Sequence, residues 1–309
     1  MHKSGHLSRS RTGDPPHTRR PVTQGICSQT NQATAESKRA LNNLTAYQPA
    51  PELTIPRELS ARIPAYRNAG VLVPLFIGED HTLHVLLTTR GKQLRSHAGD
   101  TALPGGRFEH TDRSIEETAR REAEEEIGLT QSKHLCQLEP FLSANELVVT
   151  PTVTLISPGS VALRLNYKEV TSVFSVPLEN FLFHTRPDCP RGAIHEDYKA
   201  THPAASHHEQ RLQTSSPEPW HSTYLIRWLI EPPVLRHTFQ DPHNPIRGLT
   251  SDILIRTATI AFGRLPNYQV YVNDTSPTPH LVEQSFASDH RIPKRSVKPR
   301  MKPWDHPHI

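Results

Sequence analysis

Arg121-Glu122-Ala123-Glu124-Glu125-Glu126-Ile127-Gly128-Leu129 is the run of residues on which the reading of this chain turns. On an α-helix Glu122, Glu125 and Glu126 stand at i, i+3 and i+4 and share one face. Like charges so placed destabilise the helix and raise one another's pKa. A hard divalent cation removes the conflict. Magnesium takes oxygen ligands, binds through few carboxylates, and completes its shell with water and substrate phosphate. The pattern therefore points to phosphate-ester or anhydride chemistry. A Glu-rich run is otherwise a solvated helix face, but the neighbours argue against that here. Ala119, Ala123 and Ile127 recur every four residues and form an apolar stripe for packing on a sheet. Gly128 suits a helix C-cap. Upstream, Pro104-Gly105-Gly106 follows the apolar strand Leu83 to Thr88, and glycines there let backbone approach phosphate or metal.

Gly106, the loop to Asp112, and then Arg121-Glu122-x-x-Glu125-Glu126-x-Gly128-Leu129 resemble the Nudix box, the loop-helix motif of hydrolases that cleave a nucleoside diphosphate linked to another group. The second half of the box matches at every defining position. The first half departs: Gly106 to Arg121 is one residue longer than the family spacing, and Asp112 stands where the family has glutamate. The coenzyme A diphosphatase branch resembles this chain in that longer loop and in the run Thr118-Ala119-Arg120-Arg121-Glu122. It also carries a second motif upstream, matched here by Leu86-Leu87-Thr88-Thr89-Arg90-Gly91, Arg95, Gly99 and Leu103-Pro104-Gly105-Gly106. Gly91 and Leu103 differ from that motif, which has serine or alanine and phenylalanine at those two places. The similarity covers about residues 66 to 182 and 222 to 265.

The resemblance implies the Nudix α/β/α sandwich with a mixed sheet, and a role for each matched residue. Glu122, Glu125 and Glu126 are the expected ligands of Mg²⁺ or Mn²⁺, with the Gly106 carbonyl a further candidate. Arg121 is expected to orient the glutamates by ion pairing. One glutamate would serve as base for attack of water on phosphorus. Arg90 and Arg95, with Gly105 and Gly106, are the candidates for binding substrate phosphate, since guanidinium forks suit phosphate; structural ion pairing is the competing reading of the arginines. Glu169 reads as a strand-end residue, a fourth carboxylate being the alternative. The implied reaction splits coenzyme A or its thioesters into 4'-phosphopantetheine, or its acyl form, and adenosine 3',5'-bisphosphate. Two other readings remain open: a broader hydrolase of NADH, ADP-ribose or oxidised nucleotides, and a Nudix-fold module that binds without turnover.

Composition bounds the rest. The chain has 309 residues, 35% of them hydrophobic, with 29 prolines, so much of it is not expected to pack. Cys27, Cys136 and Cys189 are too few and too scattered for a disulfide framework, which fits a reducing compartment. Residues 1 to 50 hold seven Lys/Arg against two Asp/Glu, and residues 290 to 309 hold six against one. Each tail is thus +5 within a total of +4, which leaves −6 for residues 51 to 289. The high pI comes from the tails, and the core is expected to meet a small-molecule substrate and no nucleic acid. No apolar run approaches the roughly 20 residues of a membrane span, and no signal-peptide core is expected. The arginine-containing start to Pro21 weakly resembles a mitochondrial presequence, while Pro307-His308-Ile309 is unlike the Ser-Lys-Leu peroxisomal address. The expected location is intracellular, with peroxisome and mitochondrion as candidates. The sequence leaves oligomeric state open.

The domain reading has three parts: a disordered basic tail over 1–55, a hydrolase domain over 56–265, and an extension over 266–309 whose basic end is disordered. A proline- and histidine-rich insertion at about 184–221 reads as a surface loop. Within the domain, 69–77 and 83–88 read as a hairpin across Gly78-Glu79-Asp80. Strands follow at 138–142, 152–156, 173–176 and 224–230, with a closing helix over 251–262.

Overall fold

Residues 69–77 are apolar at almost every position, as in a strand covered on both faces. The computed structural model describes residues 33–157, 163–186, 220–226 and 234–272, and places this run at the centre of a sheet. In chain order the elements begin with α1 (Ala35–Ala46), a short α2 (Arg57–Ser60), β1 (Asn68–Ile77), β2 (Leu83–Arg90), β3 (Thr101–Ala102) and β4 (Gly105–Arg107). Next come α3 (Ile115–Ile127), β5 (Lys133–Gln137), β6 (Phe141–Leu142), β7 (Val148–Leu155) and β8 (Val170–Pro177). The last are β9 (His221–Ile226), β10 (Val234–Phe239), β11 (Ile246–Arg247) and α4 (Leu249–Phe262).

The main sheet is mixed. β1 runs parallel to β7 in register from Asn68 opposite Val148 to Leu75 opposite Leu155. It is antiparallel to β2 at one end and to β4 at the other, where Gly70 faces Gly106. Alternate residues of β1 serve two cores, as the strand period of two requires. Leu72 and Phe76 pack with Leu86, Ile156 and Val170 beneath Ala119, Ala123 and Ile127 of α3. Val73, Leu75 and Ile77 turn the other way, with Val85 and Leu87, into a core that also takes Ala40 and Leu44 of α1 and Ile253, Leu254 and Ala258 of α4. The result is a three-layer α/β/α sandwich around a mixed sheet, as expected.

Helix α3 is delimited by its own residues. Ser114 caps its first turn, accepting from the Glu117 amide at 3.1 Å, and Glu116 and Glu117 favour the positive end of the helix dipole. Gly128 stops it in the left-handed region at φ 71°, with its amide bonded back to the Glu124 carbonyl. A methyl group at Gly70 would overlap the Ile115 carbonyl, so glycine lets the start of α3 lie directly on β1.

The structure corrects the domain limits. The tail expected over 1–55 contains a folded segment: α1 is capped by Thr34, and Ala40 and Leu44 are fully buried. Side-chain ties hold it to α4, with Asn43 donating to the Ala261 carbonyl at 2.9 Å. The core also runs past 265, because Tyr268 hydrogen-bonds the Phe181 carbonyl and His237 bonds the Val270 carbonyl. Both ends of the expected insertion are tied to the folded part: His184, itself exposed, pairs with the buried His221, and Trp220 is buried against Phe181 and Phe239. The rest of that insertion, 187–219, and the chain at 1–32 and 273–309 lie outside the described residues. So do Cys27 and Cys189, whereas Cys136 is buried and its thiol is pushed up to about 12, first by burial.

β9, β10 and β11 form a second, three-stranded antiparallel sheet, of which only β9 was expected. β10 escapes a hydrophobicity reading because Arg236 and His237 are buried in its middle. Arg236 is paired with Asp252 of α4, and His237 lies between His221 and the Val270 carbonyl.

Candidate active site

Because α3 rests on β1 through its alanine stripe, its opposite edge faces β4 and the end of β2. The three glutamates meet different surroundings there. Glu122 is partly covered and lies so close to Gly106 that a methyl group there would overlap its carboxylate. Glu125 is the most open, with 54% of its side chain exposed. Glu126 is buried, with 6% of its side chain exposed, and its nearest cation is Arg90 at the end of β2, 3.8 Å away.

Arg121 is held before it reaches the glutamates. Its Nε and Nη2 donate to the two oxygens of Asp112 at 2.9 and 3.1 Å, and Nη1 is left for Glu122 at 3.0 Å and Glu125 at 3.4 Å. Asp112 is itself fixed, accepting from Thr118 Oγ1 at 2.8 Å and from the Glu109 amide at 3.0 Å. The Arg121 hydrogen bonds hold the Asp112 carboxyl down at about 2 against the effect of burial, and the same pairing raises Arg121. The arginine is therefore a fixed cation between loop and helix. Through Arg121, Asp112 joins the candidate site, and the sequence reading left it without a role. Its only signal was an acid at the family's glutamate position six residues before a threonine on the helix's buried face.

The carboxylates are under electrostatic load. Burial pushes Glu126 up to about 8; Arg90 and the Gly105 amide oppose this, while Glu122 and Glu169 add to it. Glu122 is also raised, by burial first, with Glu125 and Glu169 contributing against Arg121. Glu169, next to the start of β8, makes its charge felt at both glutamates. Its backbone carbonyl accepts from the Gly91 amide at 2.6 Å, which ties the start of β8 to the end of β2.

Among the described residues no three His, Cys, Asp or Glu side chains converge into a ready-made metal cage. The donor set nevertheless fits a hard cation. It is all oxygen, and Asp112 already takes two donors of Arg121. The carboxyl driven furthest from its ordinary value is the one buried beside two others. Oxygen-rich clusters of this kind suit Mg²⁺ or Mn²⁺ better than softer ions.

The remaining expected residues divide. Arg90 joins the cluster, and among the described residues its buried Nε has no hydrogen-bond partner. Gly105 and Gly106 join it through β4. Arg95 is exposed on the loop between β2 and β3.

The NUDIX domain model matches residues 66–183. An uncharacterized Nudix hydrolase, NudL, from Photorhabdus laumondii is 43% identical over 138 residues, which is 43% of this chain and 72% of that protein. The chain belongs to the Nudix family. A mitochondrial Nudix hydrolase 15 of Arabidopsis thaliana is 33% identical over 205 residues, covering 65% of this chain and 61% of the plant protein. The peroxisomal coenzyme A diphosphatase 1 of Saccharomyces cerevisiae is 33% identical over 181 residues, covering 49% of this chain and 52% of the yeast protein. The chain therefore spans little more than half the length of these two relatives. Nudix hydrolases generally use divalent metal ions such as Mg²⁺ or Mn²⁺. No helix among the described residues is long and apolar enough to cross a membrane.

Proposed function

We propose that this Nudix protein hydrolyses the diphosphate of coenzyme A or its thioesters, giving 4'-phosphopantetheine, or its acyl form, and adenosine 3',5'-bisphosphate. The observation that carries the reading is the meeting of two sequence segments at one place. Arg90, from the Leu86–Gly106 segment, stands 3.8 Å from Glu126 of the box helix. With 28% of its side chain exposed, this guanidinium lies partly open beside the carboxylate cluster, a placement that suits a phosphate group. The 33% identity to a yeast coenzyme A diphosphatase supports the same substrate.

Glu122, Glu125 and Glu126 would hold Mg²⁺ or Mn²⁺, which supplies positive charge against the diphosphate oxygens. The protein's own work is positioning and proton transfer. Asp112 fixes Arg121, and Arg121 keeps Glu122 and Glu125 turned towards the site. A glutamate of the set takes a proton from the attacking water as its oxygen bonds to phosphorus, and the bridging P–O bond breaks towards the other phosphate. Arg90 and Arg95 hold substrate phosphate. A peroxisome or mitochondrion, the compartments named for two relatives, is the proposed location, and imaging of the tagged chain elsewhere would remove it.

Purified full-length protein with Mg²⁺, and then with Mn²⁺, is offered coenzyme A, NADH, ADP-ribose and an oxidised nucleotide, and the products are resolved by chromatography. The proposal expects coenzyme A to be consumed fastest. Survival of coenzyme A while another substrate disappears would refute the substrate, and no cleavage with either ion would refute the enzyme reading.

A further inference from the structure

The loop from Gly91 to Asp100 leaves Arg90 and returns through β3 to Gly105 and Gly106, so both its ends abut the carboxylate cluster. Residues 95–98 of this loop, Arg95 among them, are exposed and contribute little burial of their own. Such a segment adopts one conformation only if something outside it holds it.

Two sets of contacts do. On one side Gln93 donates to the Tyr167 and Lys168 carbonyls at 3.0 and 2.6 Å, beside Glu169. On the other, the turn between β10 and β11 reaches across from the second sheet. Asn244 Nδ2 donates to the Gly99 carbonyl at 2.8 Å and to Thr101 Oγ1 at 3.0 Å. Arg247 Nη2 pairs with Asp100 at 2.6 Å, and Thr250 donates to the Thr101 carbonyl at 3.3 Å. The turn is itself anchored: Asp241 is buried and accepts from the His243 amide at 2.9 Å, and the His243 ring stacks on Phe174 of β8 at 5.2 Å.

We infer that Asn244 and Arg247 are positioning residues which hold the 91–100 loop so that Arg95 is presented to the substrate. The second sheet then sets substrate affinity without touching the reacting atoms. Asn244 supplies the specific part: one amide bridges a loop carbonyl and a β3 hydroxyl, a geometry that alanine cannot reproduce. Arg247 adds a charge-assisted bond to a carboxyl that its guanidinium holds below the ordinary range despite partial burial. The inference rests on the coenzyme A reading for the role of Arg95, whereas the clamp itself is independent of substrate.

Two measurements on the full chain test it. Limited trypsin digestion, read by mass spectrometry, follows cleavage after Lys92 and Arg95. Asn244→Ala and Arg247→Ala should each speed that cleavage at least about fivefold, and Arg247→Lys should remain near the wild type. In steady-state kinetics each alanine variant should raise KM for coenzyme A about fivefold or more, with kcat within about twofold. In an Arg95→Ala background the same substitutions should add nothing. Unchanged trypsin cleavage overturns the clamp, and losses that multiply with that of Arg95→Ala overturn its link to Arg95. If coenzyme A is not a substrate, the trypsin result still decides the clamp, and the kinetic cycle is run on whichever diphosphate is cleaved.

Discussion

Gly106 and Glu122 share one space. The glycine has no side chain where the carboxylate lies, so a single methyl group at 106 must push Glu122 aside. Small misplacements of a positioned group cost large factors in rate. Gly106→Ala is therefore expected to lower kcat/KM by at least about tenfold, while the urea midpoint shifts little because Glu122 can move towards solvent. Steady-state kinetics paired with urea unfolding check this, and near-normal turnover would remove Gly106 from the site. The motif made Gly106, Arg121 and the three glutamates legible, because their spacing along one helix and its loop is local. Asp112 and Glu169 were not legible in the same way. Their effects depend on which distant groups the fold brings beside them, and no periodicity records that.

Helix α3 could be read because capping, an apolar stripe and a C-cap glycine agree over consecutive residues. Helix α1 carries weaker marks. Its buried positions are Ser37, Ala40 and Leu44, and only the last is a large apolar residue. What fixes it is tertiary: Tyr47, just past its end, donates to Glu139 at 2.7 Å, and Arg256 of α4 pairs with Glu139 at 2.6 Å and donates to Tyr47 Oη at 3.0 Å. Burial first, and then the Glu139 hydrogen bond, push the Tyr47 phenol up to about 12. Glu139 is buried, so removing its arginine leaves a charge without a cation, held only by the Tyr47 hydroxyl. We expect Arg256→Met to cost about 3 kcal/mol or more in unfolding free energy. Adding Glu139→Gln should recover part of the loss. Chemical denaturation of both variants measures this, and a loss below about 1 kcal/mol for Arg256→Met would contradict the triad's role.

A chain of imidazoles runs from His184, past the end of β8, through His221 of β9 and His237 of β10, and its protonation ties stability to pH. The Val270 carbonyl can only accept, so His237 donates from Nε2 at 3.0 Å. Its Nδ1 then accepts from His221 Nε2 at 3.0 Å, and His221 Nδ1 in turn accepts from His184 Nδ1 at 3.1 Å. A proton on His221 Nδ1 would face the His184 donor. His221 is 1% exposed and is held down at about 3, first by burial and then by its neighbouring histidines. Because its folded pKa lies below the unfolded value, its contribution is present above about pH 6.5 and is lost as pH falls towards 3. We predict a loss of about 2 kcal/mol by pH 5 from this group, and a flatter acid limb in His221→Gln, which retains one donor and one acceptor. Equal slopes in the two proteins would contradict it. This second sheet was largely invisible in the sequence because its middle strand buries Arg236 and His237, while the main sheet announced itself through apolar strands. Its reach back to the 91–100 loop joins the late part of the chain to the site built by the early part. The central claim, that the carboxylate helix cleaves the coenzyme A diphosphate, is tested most directly by incubating wild type and Glu125→Gln side by side with coenzyme A and Mg²⁺ and resolving the products. The wild type is predicted to release adenosine 3',5'-bisphosphate and 4'-phosphopantetheine, with Glu125→Gln slower by at least about a hundredfold; intact coenzyme A with the wild type, or equal rates in the two proteins, would contradict the claim.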